Sequence, residues 1–210
     1  MSQRRIMSDA DGPQRRASGP SSARVRRAWV AAAGSFLALF AASVQAFDIE
    51  RLAARYEQHQ YRLTLVAHLD APPAQVVAVL RDYAHYPSLD PRILEADVLE
   101  RPEEHVVVLA TRLRVCLGWF CREVSRVERV TESPLAFVAH TDPARSDLRF
   151  GITRTTLEPE GAGTRVQYST AVAPGFWVPP FPRRWMLDAM SDATVGLFRS
   201  VERRAARSLE

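Results

Sequence analysis

The sequence predicts an α+β fold in which a curved antiparallel sheet grips one long helix near the C-terminus. Three observations predict it. Residues 181–207 follow Pro179, Pro180 and Pro182 and contain no later proline. Within them Leu187, Met190, Thr194, Leu197, Val201 and Ala205 recur at three- and four-residue steps, an apolar stripe along a helix of roughly 35–40 Å. Residues 61–172 read instead as a short helical insert followed by strands with alternating apolar positions. A sheet accompanied by one long helix must bury a face against it.

Taken in order, residues 1–23 are polar and rich in Arg, Ser, Gly and Pro, a composition that stays disordered. Arg24, Arg26 and Arg27 precede an apolar, uncharged run over 28–44, and Val44-Gln45-Ala46 closes it with small residues. That layout predicts a secretory signal peptide cleaved after Ala46; the alternative is a membrane anchor through residues 28–47. Both readings put the domain outside the cytoplasm, periplasmic or secreted. Residues 47–60 are expected to be a helical spacer, and 61–210 the folded domain.

Tyr61, Leu63, Leu65, Ala67 and Leu69 alternate with Arg62, Thr64 and His68, which predicts a half-buried strand over 61–69. Pro72-Pro73 breaks it, and Pro73 opens a helix to Asp82 with Val76, Val77, Val79 and Leu80 inward. A second short helix or turn covers 83–89. Strands are then expected over 93–101, 106–116, 121–130, 135–140, 148–157 and 164–172, separated by turn-forming Pro, Glu, Gly and Ser. The total is seven strands.

The formal charge of +4 belongs to the leader. Residues 1–46 hold seven arginines and two aspartates, a net of +5, so the remainder is 21 minus 22, or −1. No basic surface is thereby implied for the domain, and nucleic acid is excluded as an expected partner.

Cys116 and Cys121 are the two cysteines. They flank four residues between strand-like runs, so they face each other across a hairpin, and in an oxidising compartment a disulfide is expected. No histidine lies near them in sequence to complete a metal site, and none is expected; nor is any cofactor.

Two strings resemble a known superfamily. VAHLDAPPAQVVAVLRDYAHYPSLDP resembles the opening strand, alanine-proline turn and first helix of the group that includes START lipid-transfer domains, polyketide cyclases and the birch-pollen allergen. PPFPRRWMLDAMSDATVGLFRSVERRA is similar to its closing helix. The resemblance covers roughly residues 61–207 and implies a helix-grip fold with a cavity between helix and sheet, usually holding an apolar molecule. Most members bind or transfer ligands and a minority are enzymes. The Tyr86-Pro87 step also resembles coenzyme-Q-binding relatives and favours a lipid or isoprenoid.

The candidate chemistry follows from the hairpin register. With Cys116 opposite Cys121, Val115 faces Arg122 and Thr111 faces Arg126. Arg122, Val124, Arg126 and Glu128 then share the inner face with Leu109 and Leu113. Charges there must pair or meet a polar ligand, so a polar cavity floor, a structural Arg126–Glu128 network and a bulge that turns the charges outward all stand as readings. Arg154 and Tyr168 lie on later strands of the same sheet. The expected chamber sets Leu187, Met190, Thr194 and Leu197 against Leu109, Leu113, Phe150, Ile152 and Tyr168, with Trp177 and Phe181 at its entrance. The stretch 176–185 is aromatic, proline-rich and basic, suited to transient membrane contact. The expected function is binding or transfer of a hydrophobic small molecule. The alternatives are a cyclase or dehydratase using Arg126, Glu128 or Tyr168 on a polyketide-like substrate, and a protein-interaction module with a filled cavity.

Overall fold

The computed structural model describes residues 47–117, 120–178 and 183–207. The leader expected over 1–46 and the entrance residue Phe181 lie outside the described residues. Eight strands form one antiparallel sheet: β1 (Asp48–Glu57), β2 (Gln60–Leu69), β3 (Ile93–Glu103), β4 (Val106–Leu117), β5 (Phe120–Ser133), β6 (Ala136–Thr141), β7 (Leu148–Glu160) and β8 (Gly163–Pro174). Their spatial order is β1-β2-β8-β7-β6-β5-β4-β3, so sequence order breaks where β2 meets β8. The helices are α1 (Pro73–Arg81), α2 (Tyr86–Leu89) and α3 (Arg183–Arg207).

The eighth strand corrects the expectation of a helical spacer over 47–60. Glu, Arg, Leu and Ala give that stretch good helix propensity. The free edge of β2 overrides it by offering a ladder, with Leu52 opposite Leu65, Ala54 opposite Leu63 and Tyr56 opposite Tyr61. Gln58 and His59 make this possible by both adopting positive φ, 52° and 60°, the conformation of a tight two-residue hairpin turn.

The core fills one end of the concave sheet. Leu63, Leu65, Ala67, Leu69, Val107, Leu109, Val130, Phe137, Leu157 and Val166 meet Val76, Val77, Val79 and Leu80 of α1 and Phe198, Val201 and Ala205 of α3. The polar ties around this core are specific. Thr164 Oγ1 donates to the Ala71 carbonyl at 2.6 Å, Arg204 Nη2 reaches Asp82 at 2.7 Å, and the Asp70 amide donates to Glu202 Oε1 at 2.8 Å. The first ties β8 to the turn after β2, and the other two hold the C-terminal half of α3 on the β2–α1 corner.

The buried stripe of α3 runs through Met186, Thr194, Phe198, Val201 and Ala205, with Met190 and Leu197 partly buried against the core. The expected stripe is therefore rotated by part of a turn. Leu187 lies at its margin, and Phe198, 1% exposed, is its anchor.

Candidate functional site

Beyond Leu109 the inner face of the sheet becomes polar. Direct pairing carries one side of the sheet from strand to strand: Leu65 to Tyr168 to Thr155 to Phe137, and Leu63 to Thr170 to Thr153 to Ala139. The next row is Tyr61, Val172 and Gly151, and further on Thr141 pairs with Glu128 and Glu128 with Leu109. Thr111 faces Arg126 and Leu113 faces Val124, which is the register expected from the cysteines.

Arg126 and Glu128 are paired on this face, Nε to Oε2 at 3.1 Å, with side chains 22% and 5% exposed. Arg126 Nε also lies 3.4 Å from Thr111 Oγ1, and Thr141 Oγ1 lies 3.5 Å from Glu128 Oε1. Gly151 makes room for Thr141: a Cβ there would stand 2.0 Å from Thr141 Oγ1. Nearby, the Thr153 and Thr170 hydroxyls are 3.0 Å apart. The Tyr168 ring meets Phe198 edge-on at 5.4 Å between centroids, so one residue joins the apolar core to the polar end.

Two phenols share the field of the ion pair. Burial pushes the Tyr168 phenol above its ordinary range, with Arg126 opposing and Glu128 adding to the rise. Burial also pushes Tyr86 up, Glu128 adding and Arg126 opposing, while its hydroxyl donates to the Leu80 carbonyl at 2.6 Å. Both stay protonated at neutral pH and can serve as hydrogen-bond donors but not as bases.

Phe150, Ile152 and Arg154 are corrections. They pair with Ala173, Ala171 and Ser169, which point away from the helix, and Phe150 is 40% exposed. The residues of β7 that face inward are Gly151, Thr153, Thr155 and Leu157. Leu157 opposite Val166 sets that parity, and period two carries it down the strand. The structure brings together Leu109, Leu113, Arg126, Glu128 and Tyr168 on the inner face, with Met190, Thr194 and Leu197 on α3. Sequence reasoning missed Tyr86, Thr141, Gly151, Thr153, Thr170 and Phe198. The signals available were a glycine inside a strand, which marks close approach, and the parity of Leu157.

At the end of the sheet beyond this polar region, the Arg122 guanidinium stacks over the Phe176 ring at 4.2 Å. That contact folds the segment after β8 onto the β4–β5 hairpin, whose tip carries the Cys116–Cys121 disulfide. Trp177 and Trp185 point outward, 78% and 53% exposed. Arg183 stacks on Tyr56 at 4.5 Å and Arg184 is exposed.

Residues 60–210 match the sequence model of the family described as polyketide cyclase / dehydrase and lipid transport. The chain belongs to that family. Three solved structures illustrate the fold. A protein of Thermus thermophilus is 18% identical with a TM-score of 0.61, covering 71% of this chain and 99% of its own. The Zhui aromatase/cyclase of a Streptomyces species is 16% identical at 0.60, covering 72% and 97%. A STAR-related lipid transfer protein of Xanthomonas axonopodis is 14% identical at 0.54, covering 74% and 98%. A search of curated proteins returned no match. Family membership implies a hydrophobic small-molecule ligand or cyclase-type chemistry. At these identities the structural likeness speaks for the helix-grip fold alone.

Proposed function

We propose that the protein binds and transfers a hydrophobic small molecule with one polar end, a lipid or isoprenoid, outside the cytoplasm. The observation that carries this reading is Arg126. It lies on the concave face, yet keeps 22% of its side chain exposed, and among the described residues no group accepts a hydrogen bond from its two terminal nitrogens. An oxygen-bearing head group suits that guanidinium, with Thr111 and Tyr168 as neighbouring donors. Leu113, Met190 and Leu197 suit an apolar body, worth about 0.8 kcal/mol per buried methylene before ordering costs.

The outward tryptophans and Arg184 beside them support exchange at a membrane surface. The disulfide and the basic-apolar-small layout of residues 24–46 support an exported protein.

An enzymatic reading finds less support. Glu128 is occupied by Arg126, and the two phenols hold their protons, so none of these three groups is poised as a general base.

The deciding experiment is native mass spectrometry of the protein purified from its own host, with lipid extraction of whatever co-purifies. The expected result is a chain starting at Phe47 that carries a stoichiometric apolar molecule. A ligand-free chain that also binds no fluorescent lipid would end the carrier reading and favour the interaction module.

A further inference from the structure

A surface cleft lies away from the interior. Ser88 and Leu89 of α2 and Ser200, Arg203, Arg204 and Arg207 of α3 line a surface cleft of about 340 Å³. It sits near the C-terminal end of α3, about 27 Å along the helix from Trp185 at a rise of about 1.5 Å per residue. The aromatic segment and the cleft are therefore separate features.

The charges of the cleft are unbalanced. Arg204 is committed, donating to Ser88 Oγ at 2.8 Å and to Asp82 Oδ2 at 2.7 Å. Arg203 has only the neutral Ser200 hydroxyl, at 2.8 Å. Among the described residues neither Arg203 nor Arg207 forms an ion pair. The nearby acid Glu202 is turned to the Asp70 amide. Arg204 is engaged by Asp82, and Arg203 and Arg207 bring two further guanidinium groups to the cleft. Arg203 and Arg207 are also like charges one helical turn apart, a spacing that destabilises a helix unless an anion intervenes. The helix dipole favours cations in a last turn. It does not explain why they converge on a concavity, whose Ser88 and Ser200 hydroxyls donate to the His85 and Gly196 carbonyls and only accept from the arginines.

We propose that this cleft binds a phosphate group. Guanidinium forks match the several oxygens of a phosphate, and a shaped recess holds such a group better than a flat basic surface. Free phosphate and a phospholipid head group offer the same chemistry.

The test titrates inorganic phosphate into the purified full chain by calorimetry at constant ionic strength, beside sedimentation with phosphatidylglycerol and phosphatidylcholine vesicles. Two double variants are compared, Arg203→Gln/Arg207→Gln in the cleft and Arg129→Gln/Arg149→Gln elsewhere on the exposed surface. Thermal melts establish that both are folded. Phosphate should saturate the wild type, weaken by about tenfold or more in the cleft variant, and change by less than about twofold in the other. Cleft-dependent sedimentation with phosphatidylglycerol identifies a lipid head group as the source, and phosphate binding without it identifies a soluble phosphate. The proposal is overturned if neither phosphate saturation nor cleft-dependent vesicle binding occurs, or if the two double variants lose binding equally.

Discussion

Arg126 Nε and Glu128 Oε2 lie 3.1 Å apart on the concave face, two residues along one strand, with 22% and 5% of their side chains exposed. Side chains two apart share a face, so the pair sits where the neighbouring strands present Leu109 and Leu113. The asymmetry of burial predicts an asymmetry of mutation. Arg126→Met leaves a nearly enclosed carboxylate without its cation and should cost roughly 2–4 kcal/mol, slightly below the range for fully buried pairs. Arg126→Met/Glu128→Leu should restore most of that loss while still weakening a polar-headed ligand. Urea melts paired with binding of a fluorescent fatty acid test both halves. Equal stability of the single and double variants would show that the pair is energetically idle.

Met190 is partly buried against the core on α3. Met190→Trp should occupy volume there and weaken binding of a fluorescent lipid. Overpacking a tightly filled site costs about 1–3 kcal/mol, and less beside open space. A variant that melts like the wild type but binds poorly locates the chamber. One that unfolds identifies solid core.

Trp177 is 78% exposed and so contributes little to folding. Trp177→Ala should leave the melting temperature and detergent-phase affinity near wild type while slowing lipid transfer from vesicles. Unchanged transfer rates would remove this residue from the membrane-contact reading.

Cys116 and Cys121 are bonded across the β4–β5 hairpin. The loop they close is short, so Cys116→Ser/Cys121→Ser should lose only about 2 kcal/mol. Thiol labelling of unreduced protein should find no free cysteine, and two labelled thiols in freshly exported protein would contradict the bond.

Tyr83, Tyr86 and Tyr168 are all pushed above the ordinary phenol range, each first by burial. A phenol with a raised folded-state pKa contributes stability that is fully present below about pH 10 and is lost as pH rises towards the folded value. Absorbance at alkaline pH should therefore show these tyrosines ionising together with unfolding followed by circular dichroism. Early ionisation of all the tyrosines in a still-folded chain would mean that water reaches them freely.

Much of the architecture is legible residue by residue. The step pattern in α3, the prolines that open α1 and the two-residue alternation of β2 and β4 are local properties, and each element falls close to where its pattern puts it. Cys116 opposite Cys121 sets every pairing of that hairpin, because register in an antiparallel pair is a single number. That is why Thr111 opposite Arg126, and the pairing of Arg126 with Glu128, could be read from the chain.

Tertiary structure decided the rest. Residues 48–57 are good helix formers, yet they form a strand because the unpaired edge of β2 outweighs a propensity worth tenths of a kcal/mol per residue. In β7 the larger apolar residues, Phe150 and Ile152, face out, while Gly151, Thr153 and Thr155 face in. The hydrophobicity of Phe150 and Ile152 points the other way, and the pairing of Leu157 with Val166 across β8 settles the parity. Tyr86 reaches the field of Glu128 and Arg126 through space, from a four-residue helix far away in sequence. Periodicity along a chain reports which face a side chain shares with its neighbours. Which face is concave, and which distant residues meet there, depends on contacts that form only when the sheet closes around α3.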